Sequence, residues 1–305
     1  MLPASYTNVS VAFSPCQITG FFQIHDQDSD PSRKGSTGAG VNVADGIRTS
    51  VRVRKSSKNH LRVSLNKHDL VRPLVSKRVV DEYLGLLGGR WDIHVEHRCK
   101  LPVGAGYGTS GAGALSLSLA LNDAFGETVT RQEALRIAHV ADAQAKTGLG
   151  TVASESIGGL AVRISPGAPG IGKVRKLATS SNMRVVSGSF GPISKNRVLS
   201  SEALRRSVNV CSRGLVDNLL RNRDVSSFMV LSRRFADCLD LMSSRLRDVL
   251  IAMNARGIVA SMMMFGEGAF CIIPKSAAPG VARLLRDAGM RSAISRISTR
   301  GAHLL

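Results

Sequence analysis

Short runs in which apolar and polar residues alternate occupy the first third of the chain. A period of two is typical of strands that bury one face, so each run is predicted to be a strand. The runs cover residues 9–13, 40–43, 49–53 and 60–65. A short helix is then predicted from Val79 to Leu87, because Gly88 and Gly89 follow directly and glycine commonly ends a helix.

Longer apolar segments follow in the middle of the chain. Residues 91–95 alternate again and predict a half-exposed antiparallel strand. One helix is predicted over about 111–124 and a second over about 130–146. Thr130 and Glu133 form a capping box, which indicates where the second helix begins.

From residue 158 onwards, strands and helices are mixed without a regular alternation, which favours an α+β fold over a doubly wound parallel sheet. Strands are predicted at 158–164, 184–187, 261–265 and 269–273, and helices over about 201–254 and 279–288. The loop at 165–172 is rich in proline and glycine and precedes the expected domain boundary. We expect two domains, 1–175 and 176–305.

The composition is that of a folded protein with two domains of ordinary size. The chain has 305 residues, of which 43% are hydrophobic and 21% charged. Its five cysteines are odd in number and form no CxxC pair, so the sequence predicts neither a disulfide framework nor a zinc site. We expect a reduced, cytoplasmic protein with no membrane segment. The N-terminus lacks the layout of a signal peptide, and no apolar run reaches the roughly 20 residues of a membrane helix.

The formal net charge of +19 is compatible with nucleic-acid binding. The lysines and arginines are nevertheless scattered in ones and twos, and aromatic residues make up only 4% of the chain. Neither a zinc-finger nor an RRM signature is present. We therefore interpret the charge as a solvated basic surface that also attracts anionic substrates, and keep a nucleic-acid-binding protein as the alternative of another class.

The chemistry that the sequence indicates most directly is phosphate binding by a glycine-rich turn. The turn runs from Pro102 to Ser110 and leads into the helix that starts near Gly111. Its glycines let the backbone bend tightly and approach phosphate oxygens, while the start of the helix adds unpaired N–H donors. Thr109 and Ser110 supply hydroxyls. The glycines are Gly104, Gly106 and Gly108.

Three other interpretations explain less of this region. Gly106, Gly108 and Gly111 satisfy GxGxxG, but the strand before them alternates and no acidic strand end follows at about 20 residues, which argues against a dinucleotide fold. Residues 167–173 imitate a Walker A motif, yet Val174 stands where Ser or Thr is required. Close helix packing by small residues leaves the proline and the glycines before the helix unexplained.

Residues 102–114 resemble the central motif of the GHMP kinases, which phosphorylate small molecules with ATP and Mg²⁺. Residues 14–22 and 261–270 stand where that superfamily has its N-terminal and C-terminal motifs. The closer resemblance is to the archaeal pantoate kinases, through short motifs that follow one another over nearly the whole chain. These motifs are 18–22, 35–40, 138–141, 147–150, 158–163 and 166–170.

The resemblance implies a two-domain GHMP kinase fold, with an N-terminal ribosomal-protein-S5-like domain and a C-terminal ferredoxin-like α+β domain. It implies ATP and Mg²⁺ as cofactors, pantoate as the substrate, and a homodimer. The reaction is then phosphorylation of the 4-hydroxyl of (R)-pantoate to 4-phosphopantoate in coenzyme A biosynthesis. A pantothenate kinase of the same family is the alternative.

Individual residues take roles through this resemblance. ATP binding is assigned to Pro102, Gly104, Gly106, Gly108, Thr109, Ser110 and Gly111. Catalysis and Mg²⁺ binding are assigned to Ser110 and Asp142, and pantoate binding to Ser36, His139 and Arg163. His139 and Asp142 are three apart on one helical face, so both can point into one cavity. Arg163 can bind a carboxylate through two hydrogen bonds. Outside the family context, a core histidine, a solvated aspartate and a surface arginine are the simpler interpretations.

Two positions depart from the family pattern. Thr151 stands where the family generally has an aspartate that is taken as the catalytic base, and Gln17 stands where it often has histidine. A threonine accepts no proton at neutral pH, so either another group is the base or phosphoryl transfer proceeds without one. An inactive homologue is the remaining alternative, but the phosphate turn, Asp142 and Arg163 would then have been retained without use.

Overall fold

The computed structural model describes residues 8–192 and 202–305, which form two β-sheets with helices packed against them. Residues 1–7 and 193–201 lie outside these ranges, and with them the predicted start of the helical region at residue 201.

The larger sheet is organised around a long antiparallel hairpin. β1 (Asn8–His25) and β2 (Gly35–Lys55) pair along their whole length. The strand order is β12-β1-β2-β5-β3-β4, and β6 pairs with β2 and β7 with β6. The other strands are β3 (His60–Leu65), β4 (His68–Asp69), β5 (Trp91–Cys99), β6 (Leu160–Ser165), β7 (Lys173–Leu177) and β12 (His303–Leu304).

Helix α2 (Thr109–Ala124) is the centre of the N-terminal half. It is apolar on nearly all sides because it packs between the β1–β2 hairpin, α1 (Leu74–Leu87) and α3 (Arg131–Gln144). The predicted cap at the start of α3 is present, since Glu133 N donates to Thr130 Oγ1 at 3.2 Å. A short helix, α4 (Thr151–Glu155), follows α3.

The smaller sheet has the order β11-β8-β10-β9 and is antiparallel. Its strands are β8 (Met183–Pro192), β9 (Ser261–Met262), β10 (Gly266–Pro274) and β11 (Arg291–Arg296). Its helices are α5 (Glu202–Cys211), α6 (Leu215–Asn222), α7 (Val225–Leu239), α8 (Ser244–Asn254) and α9 (Ala278–Asp287). Phe228 and Phe235 of α7 stack near Phe21 and Phe22 of β1, so one core joins this layer to the long hairpin.

The α+β prediction is confirmed, and so are the two long helices after the glycine-rich turn. The runs at 40–43 and 49–53 belong to one strand, β2, and α4, β7, β11 and β12 were not predicted. The expected boundary between residues 175 and 176 falls inside β7, and the division into domains stays a proposal. Within the described ranges, no helix combines the length and the apolar composition needed to cross a bilayer.

The prediction of a fully reduced protein is wrong for two cysteines. Cys211, the last residue of α5, forms a disulfide with Cys238 in the last turn of α7. The two are 27 residues apart, and their pairing depends on how two helices pack, which no local sequence pattern encodes. The three remaining cysteines are buried and free: Cys16, Cys99 and Cys271.

Candidate active site

The glycine-rich turn between β5 and α2 requires glycine for two reasons. Gly104, Gly106 and Gly108 have φ of +80°, +92° and +65°, in the left-handed region where a Cβ is strained. Space is also limited, because a Cβ at Gly108 would lie 2.8 Å from Glu155 Oε1 and 3.0 Å from Gln17 O. The backbone therefore has the tight bend that phosphate binding needs.

The turn ends at the N-terminus of α2. Gly108 is the N-cap, and no side chain of the described residues caps this end of the helix. The first N–H groups of α2 and the positive end of its dipole thus face the turn. Thr109 is buried, whereas Ser110 is half-buried and its Oγ donates to Thr147 O at 3.4 Å.

The start of β10 in the smaller sheet packs against the glycine-rich turn. A Cβ at Gly266 would overlap the carbonyl of Ala105, so the two backbones are in direct contact. Tyr107 is buried, and its hydroxyl lies 2.9 Å from Ser187 Oγ on β8. The predicted C-terminal motif at 261–270 therefore lies against the central motif.

The turn forms one wall of a cleft of about 590 Å³, a volume that includes the part open to solvent. Small-molecule sites have volumes of this order. Predicted site residues that line the cleft are Ser36, Gly106, Gly108, Ser110 and Arg163. The other lining residues are Thr19, Phe22, Thr147, Gly148, Leu149, Gly150, Thr151, Met264 and Phe265. Predicted residues outside this lining are Pro102, Gly104, Thr109, Gly111, His139 and Asp142.

Arg163 on β6 brings a buried positive charge to the cleft, with only 2% of the residue exposed. Its Nε donates to Ser36 Oγ at 3.2 Å, and its Nη1 donates to Ser154 Oγ at 3.0 Å and to Gln17 Oε1 at 3.4 Å. Burial lowers the pKa of Arg163 to about 10, while the charge of Glu155 acts in the opposite direction. The guanidinium is therefore positive at neutral pH and held in one orientation, as carboxylate binding requires.

Asp142 and Ser110 converge on the loop after α3. Thr147 Oγ1 donates to Asp142 Oδ1 at 2.5 Å, and Thr147 O accepts from Ser110 Oγ. A Cβ at Gly148 would overlap the Asp142 carboxylate. Asp142 thus lies against two lining residues on the side of the cleft that carries Ser110. Its role as a metal ligand stays a prediction.

His139 contacts a different segment from Asp142, although both are on α3. It is buried, burial lowers its pKa, and its Nε2 lies 2.9 Å from Lys34 O. Lys34 is two residues before Ser36, so His139 supports the segment that carries Ser36. Contact of His139 with a substrate stays a prediction.

Thr151 lines the cleft as the first residue of α4, so the departure from the family pattern lies in the site itself. One helical turn later, Glu155 is fully buried under the glycine-rich turn. A Cβ at Gly111 would lie 2.8 Å from its Oε2 and also press on Thr151. Sequence reasoning missed Glu155 because α4 was not predicted; its spacing of four from Thr151 was the available signal.

Phe265 forms an apolar wall of the cleft and was also missed. Its φ of +64° lies in the left-handed region, which costs a non-glycine residue about 1 kcal/mol or more. Its ring centroid lies 5.3 Å from that of Phe22, another lining residue. Such strain persists where the surrounding structure fixes it, as at binding sites.

The likeness to known proteins extends over most of the chain. The family of GHMP kinases N terminal domains matches residues 73–159. The pantoate kinase of Thermococcus kodakarensis is 31% identical over 94% of this chain and 95% of its own length. The pantoate kinase of Methanospirillum hungatei is also 31% identical, over 86% of each protein.

Solved structures agree with the sequence comparison. The structure of a phosphotransferase related to the CoA biosynthesis pathway is 29% identical, with a TM-score of 0.88 over 97% of this chain and 98% of its own. A homoserine kinase from Cytophaga hutchinsonii, 17% identical, has a TM-score of 0.74 over 100% of both chains and shares the fold. This chain belongs to the pantoate kinase family of the GHMP kinases.

Proposed function

We propose that this chain transfers the γ-phosphoryl group of ATP to the 4-hydroxyl of (R)-pantoate, forming 4-phosphopantoate for coenzyme A biosynthesis. One observation carries the proposal: a single cleft contains both the glycine-rich phosphate turn and the buried guanidinium of Arg163. The first group suits a polyphosphate, and the second suits the carboxylate of a hydroxy acid.

The residues of the turn fit the phosphates of ATP. Gly106, Gly108 and Ser110 line the cleft, and the uncapped start of α2 supplies N–H donors and a positive dipole end. A Cβ at Gly108 has no room to form without moving the turn. The phosphates would therefore lie along a backbone that only glycine can build.

Ser110 and Asp142 would hold the Mg²⁺ that accompanies ATP. Their side chains offer oxygen ligands, which Mg²⁺ prefers, and both contact Thr147. When bound, the ion neutralises charge on the phosphates and on the transferred group. The hydrogen bond from Thr147 Oγ1 keeps the Asp142 carboxylate in a fixed orientation.

Arg163 would bind the carboxylate of pantoate. Its hydrogen bonds to Ser36, Ser154 and Gln17 hold the guanidinium before a substrate arrives, so little side-chain freedom is lost on binding. Gln17, which stands in place of the family histidine, thus has a defined use in this chain as an acceptor for Arg163.

The transfer would proceed without a protein base. Thr151 Oγ1 is buried against Gly111 and takes no proton at neutral pH. As the bond between the 4-oxygen and phosphorus forms, the bond from phosphorus to ADP breaks, and the hydroxyl proton leaves late to a phosphoryl oxygen. Such a loose transition state depends mainly on positioning and charge neutralisation.

A coupled ADP-release assay with ATP and Mg²⁺ tests the proposal. Pantoate, pantothenate, homoserine and mevalonate are compared as acceptors, and turnover with pantoate is expected to exceed that with the others. Preference for pantothenate would reassign the substrate, and turnover of none of the four would leave an inactive homologue.

Two further measurements address partners. Duplex DNA and RNA are expected not to bind at moderate ionic strength, whereas tight, salt-dependent binding would favour the nucleic-acid alternative. Assembly as a homodimer, which the family resemblance implies, is part of the proposal, and light scattering of the purified protein measures it.

A further inference from the structure

Two histidines and an aspartate come together on one face of the larger sheet. His60 on β3 is paired directly opposite Asp92 on β5, and His94 follows Asp92 by two residues on the same strand. Residues i and i+2 of a strand point to the same face, so the register brings all three side chains together. One ligand atom from each lies within 4.8 Å of the other two. These residues are not part of the lining of the cleft.

The atoms of this cluster converge on one carboxylate oxygen. His60 Nδ1 lies 2.8 Å from Asp92 Oδ1, and His94 Nε2 lies 3.4 Å from the same oxygen. Ligand atoms of a tetrahedral Zn²⁺, each about 2.0–2.1 Å from the metal, are separated by about 3.3 Å. A small outward movement of the His60 ring, which is more than half exposed, would bring the set to that spacing.

The other carboxylate oxygen of Asp92, Oδ2, is bound by an arginine. Arg54 on β2 donates from Nε to Asp92 Oδ2 at 2.8 Å, and its Nη2 lies 2.5 Å from the same atom. Asp92 itself is only 5% exposed. One oxygen is therefore fixed by a hydrogen-bonded partner while the other faces the imidazoles, which is the arrangement that outer-shell partners give to metal-binding carboxylates.

The charges around the cluster are largely balanced. Arg62, which pairs with His94 across the strands, binds Asp69 with two hydrogen bonds at 3.0 and 2.9 Å. The charge of Arg54 is matched by Asp92. Arg54 and Arg62 thus already have carboxylate partners, whereas Arg52, opposite His94 on β2, is exposed to solvent, which screens its charge.

We propose that His60, Asp92 and His94 form a binding site for a divalent transition-metal ion such as Zn²⁺, separate from the kinase cleft. Two imidazole nitrogens and one carboxylate oxygen are a ligand set that suits Zn²⁺ and leaves a fourth position for water. Mg²⁺ prefers oxygen ligands and does not compete here. The bound ion joins β3 to β5, the parallel pair near the edge of the larger sheet.

A competition titration tests the site. The purified 305-residue protein is stripped with EDTA, dialysed, and titrated with Zn²⁺ against a chromophoric chelator in excess Mg²⁺. We expect one equivalent to bind, and His60→Gln, His94→Gln and Asp92→Asn each to raise the dissociation constant at least about tenfold. His60→Gln alters an exposed side chain, so it remains informative if Asp92→Asn fails to fold.

The matched control is His68→Gln, which changes an exposed histidine on the neighbouring strand β4 and is expected to bind Zn²⁺ like the unmodified protein. Absence of stoichiometric binding by the unmodified protein would overturn the proposal, and so would equal affinity in the three ligand variants. Turnover of pantoate is expected to be unchanged in His60→Gln, so a failure of the metal site is distinguished from a failure of the kinase function.

Discussion

Replacing Gly108 with alanine gives a direct test of the phosphate turn. Gly108 is the N-cap of α2 in the left-handed conformation, with φ +65° and ψ 20°. An alanine there is strained by about 1–2 kcal/mol from conformation alone. Its Cβ would also lie 2.8 Å from Glu155 Oε1 and 3.0 Å from the backbone oxygen of Gln17, so the turn must move by several tenths of an ångström.

Gly214→Ala is the matched control for this change. Gly214 is likewise a helix N-cap in the left-handed conformation, with φ +74° and ψ −2°, but no described atom lies within 4 Å of the position of its Cβ. Both variants should therefore lose about 1–2 kcal/mol of unfolding free energy through strain. Only Gly108→Ala combines the strain with displacement of the turn.

The two variants are expected to differ in their catalytic rates. A displacement of about 1 Å in a group that positions the reactants reduces the rate about 100-fold, so a shift of several tenths of an ångström should reduce it about 10-fold, or about 1.4 kcal/mol. We expect kcat/KM for ATP to fall by about this factor in Gly108→Ala and by less than about twofold in Gly214→Ala. Urea denaturation and steady-state assays on the two proteins measure both quantities. Near-normal kcat/KM in a folded Gly108→Ala would refute the assignment of the phosphates to this turn.

Three other changes have defined outcomes. Ser110→Ala should lower kcat about 10- to 100-fold in the ADP-release assay while changing stability by less than about 0.5 kcal/mol, and a large loss of stability would indicate a packing role instead. Reduction of the Cys211–Cys238 disulfide, which closes a separation of 27 residues, should lower the unfolding free energy by up to about 3.6 kcal/mol in urea with reductant. Burial lowers the pKa of His97 to about 4 from 6.5, so the unfolded state binds more protons between these values. The contribution of neutral His97 to the free energy of unfolding is then fully present above pH 6.5, and it falls by about 1.4 kcal/mol per pH unit towards pH 4. His97→Gln should reduce this slope in urea denaturation curves measured across the same pH range.

The parts of the site that could be predicted from sequence are those that local conformation dictates. Gly104, Gly106 and Gly108 have left-handed φ values, which glycine adopts with little strain. The glycines in the sequence therefore indicate this backbone conformation directly. The cap at Thr130 depends on residues only three apart. Such features need no knowledge of the distant chain.

The environment of Arg163 could not be predicted in this way. Its partners Gln17 and Ser36 are 146 and 127 residues away along the chain, and Ser154 is on the unpredicted helix α4. The register of β2 with β6, which pairs Gly38 with Arg163, brings these groups together. Only the family resemblance pointed to Arg163, since an isolated arginine on a strand has no local signature.

Thr151, which stands where the family generally has an aspartate, is best understood together with Glu155 on the same helix. The family pattern has an acid at the first of these positions, which lines the cleft, and in this chain the acid of α4 is Glu155, one helical turn later. Glu155 is fully buried, so it is screened from an attacking hydroxyl, yet its charge raises the pKa of Arg163 and its oxygens lie against Gly108 and Gly111. We therefore expect this carboxylate to influence Arg163 and the glycine-rich turn, and not to accept the proton of the substrate. Positioning and charge are also the terms on which phosphoryl transfer depends most.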